Sequence, residues 1–158
     1  MHGGRRFAPK NRGRLSGPGL RVFLAIADLW RLTVDERRLI LGNPSRLSYK
    51  RWVRAARQHG ELMLEVDTLM RISAVLGIHA ALRVLNVTER EGVEWLRQPH
   101  KSPVFGGKAP LALVTSGTLD GLMTVRGFLD GARGGIYMEP NEVDRDFTPY
   151  DDSEIVFR

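Results

Sequence analysis

Between residues 20 and 85 the apolar side chains recur at steps of three and four. Nowhere before Glu154 do they alternate with polar ones as a half-buried strand requires. This pattern commits the chain to a mainly α fold. Leu20, Phe23, Leu24, Ala27 and Trp30 line one face of a first helix that ends near Arg31. Thr33 then reads as an N-cap, and Glu36 three residues on completes a capping box for a short second helix over 34–41. Gly42 stops that helix, and Asn43, Pro44 and Ser45 form a turn, since Pro44 cannot extend it. A third helix is expected over 47–58, broken by Gly60. A fourth runs from Val66 through Leu69, Ile72 and Val75 to a stop at Gly77, and a fifth covers 78–85.

The length of 158 residues, with 42% hydrophobic and 27% charged, suits one compact domain or two small ones sharing a core. No apolar run reaches the roughly 18 residues that a membrane span needs. The basic start is not followed by the apolar stretch of a secretory signal. The absence of cysteine excludes disulfides and thiolate metal sites and fits a reducing cytoplasm. Residues 1–18, rich in Gly, Arg and Pro, read as a mobile basic arm.

Charge is distributed unevenly. Residues 1–60 hold fourteen Lys/Arg against three carboxylates, a net of +11, whereas 136–158 hold seven carboxylates against two arginines, a net of −5. A polyanion suits the basic front, and a basic cleft on a protein suits the acidic tail.

The short second helix, its turn and the third helix have the layout of a helix-turn-helix, in which the second member enters the major groove. The candidate DNA-contacting residues are Arg46, Ser48, Tyr49, Lys50, Arg51 and Arg54. Arginine can read guanine through two hydrogen bonds, and Ser, Lys and Tyr can hold phosphates. Leu47, Trp52, Val53 and Ala56 are expected on the core side. A solvated surface helix is the competing reading.

Further along, Trp95 and Leu96 close a helix ahead of Pro99, Gly106 and Gly107 permit positive φ or a close backbone approach, and Pro110–Leu111 opens another helix. Leu113, Val114, Leu119, Leu122, Val125, Phe128 and Leu129 give apolar faces to two more short helices. The ordered set Trp-Leu, Pro, Gly-Gly, Pro-Leu resembles the Xre/MbcA/ParS toxin-binding domain of bacterial antitoxins. The run before it, with a Leu-Gly-Ile break at 76–78, is similar to the Xre-type helix-turn-helix that precedes this domain. The loop departs from the commoner pattern: His100 follows Pro99, and the gap to Gly-Gly is longer.

This resemblance implies an antitoxin that binds and inhibits a RES-type toxin, an NAD-degrading enzyme, with its C-terminal segment covering the toxin's cleft. The residues expected to bind toxin are Gly106, Gly107 and Lys108, with Tyr150, Asp151, Asp152, Glu154, Phe157 and Arg158 in the tail, which lies outside the resemblance but suits the role by its charge and apolar side chains. Carboxylates there can substitute for the phosphates of a dinucleotide. The rival reading folds the tail back on the chain's own basic front.

Enzyme readings find little support. The four histidines are scattered with no i, i+4 pair, so no metal is expected. Neither glycine-rich stretch has P-loop spacing, and no Gly-x-Ser-x-Gly elbow occurs. The expectation is therefore a non-enzymatic, cofactor-free, cytoplasmic antitoxin that also binds its own operator DNA. It comprises a basic arm (1–18), an Xre-like helix-turn-helix domain (19–86), a toxin-binding domain (87–135) and an acidic tail (136–158), and forms a homodimer and a higher hetero-oligomer with toxin. The runner-up is a helix-turn-helix transcriptional regulator with no toxin partner.

Overall fold

The computed structural model describes residues 7–86 and 88–134. Among these, seven α-helices and one 3-10 turn are present and no strand, so the fold is mainly α. The order is α1 (Pro9–Leu29), α2 (Val34–Ile40), α3 (Arg46–Arg57), α4 (Val66–Leu85), α5 (Glu89–Arg97), the 3-10 turn Pro103–Phe105, α6 (Pro110–Val114) and α7 (Leu119–Gly134).

α4 is the central post. It packs most extensively on α7 and also on α1 and α5, while α3 leans on α1 and α6 bridges α5 and α7. By length and composition α4 is apolar enough to cross a membrane. Here its apolar residues Leu69, Ile72, Val75, Ile78 and Leu82 are buried among its neighbours. One connected apolar cluster runs from Phe7 to Leu129, with Phe23, Trp30, Ile40, Leu96 and Leu122 among its members. The front and rear halves of the chain share this core.

Local chemistry explains the helix boundaries. Thr33 caps α2 in a full capping box with Glu36, as the sequence predicts, and Gly42 follows the helix at φ 102°. Thr88 and Glu91 build a second capping box on α5.

In its helix boundaries the structure differs from the sequence expectation at two places. Residues 9–18 are helix rather than a mobile arm, because α1 begins at Pro9 and Phe7 joins the core. The buried Ser16 hydroxyl fixes this segment, donating to Arg12 O at 2.7 Å and accepting from Leu64 N at 2.9 Å. Gly77 does not end a helix either: α4 continues through it to Leu85. A Cβ at Gly77 would collide with the Arg126 guanidinium of α7, so this glycine makes room for a neighbour.

Candidate functional site

After α5 the chain makes a compact loop whose hydrogen bonds close on themselves. His100 N donates to Lys108 O at 3.3 Å, Lys108 N to Phe105 O at 2.9 Å, and Phe105 N to Ser102 O at 3.0 Å. The turn at its tip needs Gly106 at φ 55° and Gly107 at φ 82°, which glycine adopts without steric cost. Both glycines are exposed, and a Cβ on either would meet no atom within 4 Å. Their requirement is conformational, and the space beside them is open. Lys108 is exposed next to them.

Four rings hold this loop to the helices. Trp95 stacks on Phe128 of α7 with centroids 6.1 Å apart and meets Phe105 edge-on at 5.7 Å, and Phe105 meets Phe128 at 5.0 Å. His100 lies 4.7 Å from Trp95, with its Nε2 3.2 Å from the Trp95 carbonyl oxygen. The departure seen in the sequence is thus accommodated: His100 packs on the tryptophan, and the extra residues fold into the 3-10 turn. Leu96 is buried, and Pro110 starts α6 at a position that needs no N–H. Beside the loop runs a shallow groove between Pro103, Val104, Met123 and Phe128, with Val104 and Met123 about half exposed.

Three arginines that local spacing does not single out tie this region to the front helices. Arg97 donates to the carbonyls of Trp30 and Arg31 at the end of α1. Arg71 pairs with Asp67 at 2.8 Å and donates to Gly117 O at 3.1 Å and Ile40 O at 3.4 Å, joining α4, α2 and the α6–α7 turn. Arg126 reaches Ser73 O at 3.4 Å. Long-range contacts of this kind leave no mark in local spacing.

Earlier in the chain, α2, a five-residue connection and α3 follow one another as expected. Ser45 caps α3 by accepting from Ser48 N. Lys50, Arg51, Arg54 and Arg57 are exposed on α3. Arg46 is exposed too, but it shares Asp35 with Arg38, at 3.1 Å and 3.0 Å.

Tyr49 is buried, contrary to its expected place among the phosphate-holding side chains, and Leu47 is 59% exposed where a core position was expected. The reason is the helical period. Tyr49, Trp52, Val53 and Ala56 form the i, i+3, i+4, i+7 stripe turned inward, which puts Leu47 among the cations. Arg21 of α1 fastens the end of this helix, donating to Ala56 O at 2.9 Å. Tyr150, Asp151, Asp152, Glu154, Phe157 and Arg158 lie outside the described residues.

His79 of α4 lines a small apolar cavity with Leu29, Trp30, Leu82 and Val93. Burial holds its pKa below the ordinary histidine value; Arg83 adds to the effect and Glu89 opposes it. Among the described residues no group of three or more His, Cys, Asp or Glu could hold a metal.

Residues 80–135 match the family described as the antitoxin Xre/MbcA/ParS C-terminal toxin-binding domain. The chain is also similar to an uncharacterized protein, y4oB, of Sinorhizobium fredii. The two are 35% identical over 116 residues, which covers 73% of this chain and 84% of that protein. No solved structure matches.

Proposed function

Because the chain belongs to the Xre/MbcA/ParS antitoxin family, we propose that it is the antitoxin of a RES-type toxin and silences that NAD-degrading enzyme by binding it. The observation that carries this reading is the match of residues 80–135 to a toxin-binding domain. The ring-braced loop supports it by offering the exposed Gly106–Gly107–Lys108 turn to a partner. In the tail, the carboxylates of Asp151, Asp152 and Glu154 suit the phosphate positions of a dinucleotide cleft, and Tyr150 and Phe157 add apolar grip.

The same chain binds its own operator as a homodimer through α3 and forms a higher hetero-oligomer when toxin joins. Lys50, Arg51 and Arg54 meet phosphates and guanine edges, and Leu47 on the same face suits a thymine methyl.

The test is co-expression with the adjacent reading frame, followed by NAD consumption assays on the purified pair. The antitoxin reading expects rescued growth and inhibition that saturates at a fixed stoichiometry. A toxin whose turnover is untouched by excess chain overturns it, and an operator shift without any toxin partner installs the stand-alone regulator instead.

A further inference from the structure

α3 holds no carboxylate anywhere along its length, and its exposed cations Lys50, Arg51, Arg54 and Arg57 follow its outward side to the last turn. Arg21 marks where this track meets α1. Its guanidinium donates to Ala56 O at 2.9 Å, and a Cβ at Gly17 would lie 3.5 Å from its Nη1. The end of α3 therefore sits beside Gly17. Lys10, Arg14, Gly17 and Arg21 are spaced four, three and four residues apart and so share one side of α1. Lys10 and Arg14 stand on that side past the end of α3, and both are exposed. Lys10 is about 16 Å along the helix from Arg21, at ~1.5 Å per residue.

The charges on this ridge have no counterpart within the fold. Among the described residues no carboxylate forms an ion pair with Lys10, Arg14, Lys50, Arg51, Arg54 or Arg57. Arg14 donates to the neutral Asn11 side chain at 3.1 Å. On the neighbouring elements Asp28, Asp35 and Asp67 already pair with Arg37, Arg38 and Arg71, and Glu36 serves its capping box. Glu61 and Glu65 remain, in the connection that packs on this half of α1 through Ser16 and Leu64, and six cations outweigh them. The first turn of α1 holds Lys10 and no acidic residue, although the positive end of a helix dipole favours carboxylates.

We propose that Lys10 and Arg14, with Arg57 at the end of α3, form a phosphate-holding ridge that follows the DNA backbone beside the groove α3 enters. The inference rests on the operator binding of the proposed function and extends it to a second element. A row of cations across two helices suits a polyanion with a regular repeat. Among the described residues no aromatic side chain is exposed to stack unpaired bases, which favours a duplex over a single strand. Contacts of this kind position the protein and carry no sequence information.

The probes are two DNA duplexes, one carrying the region upstream of the chain's own reading frame and one of unrelated sequence. Full-length wild type and the Lys10→Gln/Arg14→Gln double variant are titrated on both across a series of salt concentrations. The double variant is expected to weaken binding to both duplexes by the same factor. It should lower the slope of log affinity against log salt by about 2, and each single variant by about 1. Lys10→Arg/Arg14→Lys, which keeps both charges, should bind like wild type. Circular dichroism should be the same for all of them, because both side chains are exposed.

A wild-type slope in the double variant rejects the ridge and leaves operator binding through α3 standing. A loss confined to the upstream duplex rejects the phosphate role, since it signals base contact. Tighter binding of an RNA duplex than of either DNA rejects DNA as the occupant. A wild type that binds neither DNA rejects the operator reading together with the ridge.

Discussion

Gly121 fixes how closely the last two helices approach. It is buried in the first turn of α7, its N–H donating to Thr118 Oγ1 at 3.0 Å, and a Cβ there would strike the Leu113 carbonyl oxygen and Ser116 Oγ. The backbone carbonyl cannot swing aside as a long side chain can. Gly121→Ala is therefore expected to cost about 1–3 kcal/mol despite alanine's better helix propensity, measured by urea unfolding. His79 makes a second prediction at this scale. Burial favours its neutral form in the folded chain, so the unfolded chain takes up a proton first as pH falls. Stability is complete above the unfolded value of about 6.5 and declines as pH drops from there toward the lowered native value. His79→Leu should flatten that slope in denaturation curves recorded across mildly acidic pH. An unchanged slope assigns the pH dependence to another group.

At the scale of elements, α3 divides its work between two faces, and paired substitutions separate them. Arg51→Ala is expected to leave thermal stability unchanged and to weaken operator binding, by about 1–3 kcal/mol if the side chain makes a two-bond guanine contact. Tyr49→Ala should do the reverse first, destabilising the fold through its buried ring, so its operator loss should follow its lower melting temperature. If Tyr49→Ala keeps full stability and loses only DNA, the inward stripe is misassigned.

The same helix shows what the sequence could reveal. Its existence and the α2 capping box were legible because they are written in local spacing, whereas its Ser45 cap was read only as part of a turn. Which apolar residue faced inward was legible only once the stripe beginning at Tyr49 was phased correctly, and Leu47 misled because its hydrophobicity carries no direction. In α4, Gly77 reads locally as a helix stop, and only Arg126, 49 positions later, explains why a glycine sits inside a continuous helix. The Gly106–Gly107 loop was legible as an ordered motif, whereas its bracing by Phe128 and the links that Arg97 makes to Trp30 and Arg71 to Gly117 depend on tertiary contacts.

Across the whole molecule, the basic front and the loop region are one packed body, and the acidic residues 136–158 lie beyond it in sequence. Because the described core runs from Phe7 to Leu129, a chain truncated before Pro149 keeps every core residue and is expected to melt like the full chain. If the tail occupies the toxin's cleft, truncation weakens inhibition of NAD consumption while operator affinity stays nearly constant. If the tail instead lies on its own basic face, its carboxylates compete with phosphates. Truncation then strengthens operator binding most at low salt, where screening is least, and leaves toxin inhibition intact. The two arrangements therefore predict opposite pairs of results from one deletion. Measuring toxin inhibition and the salt dependence of the operator shift on the same truncated protein decides between them.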